Sequence, residues 1–569
     1  MIERSKALEV LSSDEFDVVV VGGGITGAGV ALDAASRGYS VALLERADFA
    51  SGTSSRSSKL VHGGLRYLQN FDLGLVREAL LERSLMVALA PHLVHPLPLV
   101  VPAFEGAHPD RMVGVGLNLY DVMSVDRGRL RGRRGRRARA SAGRSSGEQG
   151  GATQLEEGES WSPERHRVIS GEEVIELLPA IAAREPTSGY LFYDCQTDDV
   201  RLVLTVLGEA ERFGAVCANR LNVTGLLEQD GRTRGVRALD TESGAELEVR
   251  AANVINATGV WADQLRPGEL RDEAEMPRIR PSRGTHLILE HEDLPLVGGA
   301  IVPAGNGRSI FALPWLGRTL VGTTDNDYEG ELEHVRPSTE DIDYLLQAVN
   351  DFFGAALGSD DLAGAFAGVR PLISTGDPKK SVDISRKAEL YETSSGMITI
   401  TGGKLTTWRR MAKMTVDRLV ERDAREAPCR THEIPLGQAI ATDQLPRVEG
   451  VPAASYAALA SRYGEAAHQV LALAAERGEL AQPIVPGLPD LLAEVVLAAR
   501  NEQARSIGDV LLRRTRLGLL AARELGGAGN PTNRVADVLA RELGWSGERM
   551  ELEIERFAQE ARAEGILQA

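Results

Sequence analysis

"FDVVVVGGGITGAGVALDAASRGYSVALLERADF", residues 16–49, changes its hydrophobic rhythm twice within one short segment. Residues 18–21 are four consecutive valines, the pattern of a strand buried on both faces of a parallel sheet. Three glycines follow, then a small-residue helix expected over 25–37, then "SVALLE" as a second buried strand. Gly22, Gly24 and Gly27 give G-x-G-x-x-G where a nucleotide site needs it, directly after a strand and opening a helix. The first glycine permits the tight turn, the second lets backbone approach a pyrophosphate, and the third lets helix and strand pack closely. Phosphates then lie against a helix N-terminus, whose free N–H groups and dipole favour anions. Glu45 ends the second strand and is placed to accept hydrogen bonds from ribose hydroxyls; its charge would repel a 2′-phosphate.

Outward from this unit, 569 residues are too many for one core, so two or three domains are expected. Three cysteines far apart (Cys195, Cys217, Cys429) offer no disulfide framework, no C-x-x-C pair and no metal site. The charged N-terminus lacks an apolar signal-peptide core, and no apolar run reaches the roughly 18–20 residues of a membrane span. The expected location is cytoplasmic, with peripheral contact to the inner face of the cell membrane.

The nucleotide is expected to be FAD rather than NAD. A nicotinamide enzyme would continue with further βα units, but "SGTSSRSSKLVHGG" (51–64) intervenes, a hydroxyl-rich loop suited to a pyrophosphate and ribityl chain. Two distant segments return toward it: "INATG" (255–259) and "TGGKLTTW" (401–408), the latter passing from strand through glycines into a helix near Thr406. Such a helix end stabilises the negative charge that reduced flavin carries. The candidate cofactor residues are Gly22, Gly24, Gly27, Glu45, Thr53, Ser54, Ser58, His62, Gly63, Gly259, Gly403, Lys404, Leu405 and Thr406, for noncovalent FAD.

The motifs "VVVVGGGITGAG", "TSSRSSKLVHGGLRYL", "DCQTDDVRLV" (194–203), "NATGVW", "RGTH" (283–286), "GTTDNDY" (322–328), "GVRPL" (368–372), "DISR" (383–386) and "GGKLTTWR" (402–409) occur in order across the chain. With "DVLLRRTRLGL" (509–519), they resemble FAD-dependent, quinone-linked glycerol-3-phosphate dehydrogenases. The resemblance implies oxidation of sn-glycerol 3-phosphate to dihydroxyacetone phosphate, with electrons passed through FAD to a quinone at an anionic membrane surface. It places Arg66, Tyr67, Arg370, Arg386 and Lys404 around the substrate, consistent with a dianion that needs several fixed cations. It leaves two histidines, His286 and His62, as candidates for the base at the C2 hydroxyl, with Arg370 beside the chemistry. Trp261 and Trp408 read as packing residues.

The expected architecture is an α/β FAD-binding, Rossmann-like domain (1–85, 190–275 and 365–425), an antiparallel-sheet α+β substrate domain (86–189 and 276–364), and an all-α C-terminal domain (430–569). A basic insertion over 127–160 interrupts the substrate domain, and its residues 127–147 hold nine arginines and no acid on a chain of net charge −17. Its composition reads as a solvated loop, with anionic lipid the attractive partner; without interleaved aromatics, nucleic acid is not expected. Other readings share the fold: an oxidase passing electrons to O₂ and releasing peroxide, or an amine- or amino-acid-oxidising flavoenzyme. A non-catalytic flavin or NAD sensor is a further one, though it would leave the polar pocket unexplained. The residues leave the oligomeric state open, a homodimer included.

Overall fold

The valine run lies at the centre of the first sheet because both of its faces are covered. In the computed structural model, which describes residues 3–64, 72–104, 111–124, 165–305, 308–374, 388–526 and 531–566, strand Glu15–Val21 runs parallel to Val41–Leu44 on one side and Glu246–Asn256 on the other. The sheet continues from Val41–Leu44 to the parallel strand Val216–Ala218, and from Glu246–Asn256 to the parallel strand Ile398–Gly402. Ala388–Glu392 closes that edge antiparallel to Ile398–Gly402. The hairpin Leu221–Gln229/Arg232–Asp240, turning at Asp230–Gly231, adds to the free side of Glu246–Asn256. Helix Ile25–Ser36 packs between helices Asp199–Arg212 and Trp408–Arg422. At Gly29 a Cβ would lie 2.5 Å from the Trp408 ring, so glycine sets how closely two of these helices approach. Trp408 is buried there and donates from its indole N–H to Met86 Sδ at 3.3 Å, a packing role.

The second sheet is mostly antiparallel. Strand Ile279–Glu290 pairs with Arg318–Gly322 and with Leu362–Ile373; beyond Arg318–Gly322 follow Ser309–Trp315, Gly299–Pro303, His95–Ala103 and Ser188–Gln196. Helix Thr339–Phe353 packs on one face and shares its apolar cluster. The helical C-terminal part covers the other: its core runs continuously into Ile288, Leu313, Trp315 and Phe366 of the sheet. No described helix is long and apolar enough to cross a membrane.

Three strands lying wholly or mostly in segments assigned by sequence to the FAD-binding part hydrogen-bond instead into the second sheet: Leu60–Val61, Ser188–Gln196 (from 190) and Leu362–Ile373 (from 365). The cause is double coverage. Leu362–Ile373 is buried along most of its length, with Thr339–Phe353 on one side and the helical part on the other, where a Cβ on Gly364 would meet the Leu519 carbonyl at 2.4 Å. A strand covered on both faces reads as a parallel-sheet strand whichever sheet it joins. Arg66 and Tyr67, Arg386, and the basic segment 127–147 fall outside the described residues.

Candidate active site

A cavity of about 390 Å³ opens at the carboxyl end of the first sheet, bounded by the glycine turn, the loop 51–54, residues 257–261 and the turn 402–405. Gly22 has φ +111°, and a Cβ there would lie 2.6 Å from the Ala257 carbonyl, so only glycine fits. Gly27 does not line the cavity; a Cβ on it would lie 1.9 Å from the Gly22 carbonyl, the helix-to-turn contact expected of the third glycine. The first turn of helix Ile25–Ser36 has N–H groups without intrahelical partners, and Gly24, Ile25 and Thr26 face the cavity.

The hydroxyl-rich loop closes over this end. Ser54 Oγ accepts from Ile25 N–H at 2.9 Å, and Thr53 Oγ1 donates to the Val369 carbonyl at 2.6 Å, tying the loop to helix and second sheet together. Glu45 lines the cavity, but its carboxylate first serves the turn, accepting from Gly23 N–H at 2.7 Å and Ala47 N–H at 2.8 Å. Burial raises its pKa while those two donors hold it down. Each oxygen keeps a second lone pair for a hydroxyl. On the opposite wall stand Gly259, Gly403, Lys404 and Leu405. Thr406 lies just behind, exchanging hydrogen bonds with the backbone of His62 (N–H donor at 3.2 Å, carbonyl acceptor at 3.3 Å). Gly63 N–H donates to Tyr120 Oη at 2.9 Å and to Asp194 Oδ1 at 3.2 Å, in a buried cluster with Arg83. A glycine cradle, a helix N-terminus and three converging segments fit a long dinucleotide such as FAD.

His286 lies in the strand Ile279–Glu290, opposite Gly322 on one neighbour and Phe366 on the other. Its ring stacks on Phe366 with centroids 4.7 Å apart and planes 10° from parallel. A Cβ on Gly322 would lie 2.3 Å from the same ring, so glycine at 322 leaves room for it. Nε2 is 2.8 Å from Ser58 Oγ, while the buried Nδ1 has no hydrogen-bond partner among the described residues. Burial, then the Lys59 and Arg370 charges, hold its pKa well below the ordinary value, so it is neutral at pH 7. Arg370 shares the face of Phe366 two pleats along the strand. It donates to Thr323 Oγ1 and the Thr324 carbonyl, both at 3.2 Å, and lies 3.4 Å from Asp325, partly exposed.

The profile of the family described as "FAD dependent oxidoreductase" matches residues 17–418, and that of the "C-terminal domain of alpha-glycerophosphate oxidase" matches 429–550. A glycerol-3-phosphate dehydrogenase of Mycobacterium leprae is 35% identical, covering 100% of this chain and 92% of its own. The aerobic glycerol-3-phosphate dehydrogenase of Bacillus subtilis is 34% identical, covering 90% and 89%. The chain belongs to the FAD-dependent glycerol-3-phosphate dehydrogenase family. The crystal structure of the Bacillus halodurans glycerol-3-phosphate dehydrogenase complexed with FAD superposes with a TM-score of 0.74 at 28% identity, covering 100% of this chain and 99% of that one. The reduced α-glycerophosphate oxidase of Mycoplasma pneumoniae, at 17% identity and a TM-score of 0.52 over 75% of this chain, shares the fold.

Sequence reasoning missed several residues that the fold of this chain gathers at the site. Arg46 lies 4.2 Å from the centroid of the Trp261 ring, and both line the cavity. Trp261 is therefore a wall of the site as well as a packing residue. Lys59 (φ +60°) is buried, donating to the Ser55 carbonyl at 2.6 Å and to Asp199 Oδ2 at 2.7 Å. Its ammonium lies 4.9 Å from the centroid of the Phe366 ring that stacks on His286. Burial, then the Arg516 charge, lower its pKa to about 7, with Asp199 pulling the other way. Against its own burial, the charges of Lys59 and Arg516 hold Asp199 below the usual carboxylate range. The signal was present: Lys59 stands four residues before the glycine pair Gly63–Gly64, and Asp199 lies inside "DCQTDDVRLV".

Proposed function

We propose that this chain oxidises sn-glycerol 3-phosphate to dihydroxyacetone phosphate and passes the electrons to a membrane quinone. The observation that carries the reading is the pairing of a neutral, buried imidazole at His286 with the cationic Arg370 on adjacent strands, beside the dinucleotide cradle. Bound FAD supplies the two-electron acceptor for the hydrogen leaving C2. Arg370 and Lys404, with Arg66, Tyr67 and Arg386, hold and neutralise the substrate phosphate; guanidinium forks suit a phosphate's paired oxygens. The C2 hydroxyl proton leaves toward His286, with Ser58 Oγ, hydrogen-bonded to Nε2 at 2.8 Å, as the relay. Ser58 receives the proton from substrate as it hands its own to Nε2, so neither oxygen carries a full charge. Gly22, Gly24, Thr53, Ser54, Glu45, Gly259, Gly403 and Leu405 hold the cofactor.

The decisive experiment is anaerobic addition of glycerol 3-phosphate to the purified yellow protein. Bleaching of the flavin band by glycerol 3-phosphate, and not by amino acids or unphosphorylated glycerol at equal concentration, supports the reading. Bleaching by an amine or amino acid instead would overturn it. Peroxide yield per substrate oxidised, compared with reduction of a short-chain quinone, tests the acceptor: stoichiometric peroxide with little quinone reduction would make the chain an oxidase.

A further inference from the structure

The C-terminal helical part grips the loop that walls the cofactor cavity, through the segment 509–516 and through Glu564, which pairs with Arg56 on that loop. Residues 509–516 contribute Arg513, Arg514 and Arg516, all buried, to acidic and carbonyl partners outside the helical part. Arg513 Nε lies 2.7 Å from Asp48 Oδ2, and Arg514 pairs with the same carboxylate, Nη2 lying 3.0 Å from Oδ1. Asp48 stands three residues after Glu45, at the start of the loop whose residues 51–54 wall the FAD cavity. Arg516 holds the other end. Its Nη2 donates to the Ser55 carbonyl at 2.8 Å and to Asp199 Oδ1 at 3.1 Å, with Nη1 on its own Leu512 carbonyl at 3.1 Å. Asp199 Oδ2 in turn accepts from Ser57 Oγ and Lys59 Nζ, both at 2.7 Å, and from Ser57 N–H at 3.1 Å. Between Ser57 and Lys59 stands Ser58, the hydrogen-bond partner of His286.

We infer that Arg516 is a positioning residue for the flavin site, acting from the helical part by fixing the loop 51–58 through the Ser55 carbonyl and Asp199. Thr53 and Ser54 tie the near end of this loop to the second sheet and the helix, and the stretch 55–58 beyond them is held from outside. Here the hydroxyls that face the cavity (Thr53, Ser54) and the one that faces His286 (Ser58) lie on a single short stretch, pinned between Asp48 and Asp199 by three arginines. Burying such cations is costly even when they are paired, so apolar packing alone does not account for them there. The arrangement makes cofactor affinity a property of both parts of the chain.

The test measures the FAD dissociation constant of full-length protein, by equilibrium dialysis and flavin fluorescence, for wild type, Arg516→Met, Arg516→Lys and Arg462→Met. Arg462 pairs with Asp490 and Glu494 wholly inside the helical part, so it controls for loss of a buried ion pair. Losing a charged hydrogen bond to the loop predicts an FAD dissociation constant raised about tenfold or more in Arg516→Met. Arg516→Lys keeps the positive charge beside Asp199 but cannot reach both acceptors as a fork. It should fold with wild-type secondary structure and still bind FAD at least about threefold more weakly. Arg462→Met should lower the melting temperature while leaving FAD affinity within about twofold. Unchanged affinity in Arg516→Lys, or equal losses in the Arg516 and Arg462 variants, would overturn the inference. Absence of FAD from the wild type would instead overturn the cofactor assignment.

Discussion

At the scale of single residues, His286 and Arg370 carry the sharpest expectations. Arg370→Ala removes a cation from beside the proposed phosphate, a loss of about 2–5 kcal/mol for a charged partner of a bound anion. kcat/KM for glycerol 3-phosphate should fall by at least roughly thirtyfold, and much less for unphosphorylated glycerol. Equal losses on both would make Arg370 structural, through its contacts to Thr323 and Thr324. His286→Asn should slow anaerobic flavin reduction by about 10²–10⁴-fold with FAD still bound, and Ser58→Ala by less. Wild-type reduction in His286→Asn with a slow His62→Asn would move the role to His62, which adjoins Thr406 in the flavin turn. The buried imidazole also leaves a mark on stability. Burial, then Lys59 and Arg370, lower its folded pKa, so below the unfolded value of about 6.5 the unfolded chain binds the extra proton. Its contribution is therefore lost as pH falls below about 6.5 and flat above it, with a slope of at most about 1.4 kcal/mol per pH unit. Denaturant midpoints at pH 5.5 and 7.5 should differ less in His286→Asn than in wild type.

At the scale of elements, the nucleotide unit was legible because its constraints are local. The strand, glycine turn and helix lie within a few tens of residues, and each glycine answers to a contact in the same unit or beside it. Gly27→Ala would put a methyl 1.9 Å from the Gly22 carbonyl and push the helix off the strand. The variant should purify colourless or lose FAD on gel filtration; retention of a full flavin band would show that the helix can shift without cost to the cradle. The second sheet was less legible, and for a physical reason. Ser188–Gln196 and Leu362–Ile373 are covered on both faces, so their apolar runs do not declare which sheet they join. The roles of Lys59, Asp199 and Arg516 were hidden differently. Charged residues in sequence read as surface, and only the fold brings 59, 199 and 516 to one buried point.

At the scale of the whole molecule, the charge is divided in a way that bears on where the enzyme works. The chain carries −17 overall, yet residues 127–147 hold nine arginines and no acid. An acidic body is repelled by an anionic bilayer, whereas a surface-near arginine gains about 1 kcal/mol there. The quinone acceptor proposed above requires contact with the bilayer, and no described helix is long and apolar enough to cross it; we propose that the basic segment carries the attraction. That attraction decays within a Debye length of roughly 8 Å at physiological salt. Deleting 127–147 should weaken binding to vesicles containing phosphatidylglycerol at low salt and flatten its salt dependence, while dye-linked turnover in solution stays intact. Binding to neutral phosphatidylcholine vesicles should be weak with or without the segment. Equal binding of the deletion variant and wild type to anionic vesicles would remove the segment from membrane docking. Loss of dye-linked turnover would assign it to support of the substrate sheet, since it joins the helix Arg111–Ser124 to the strand Arg167–Ser170.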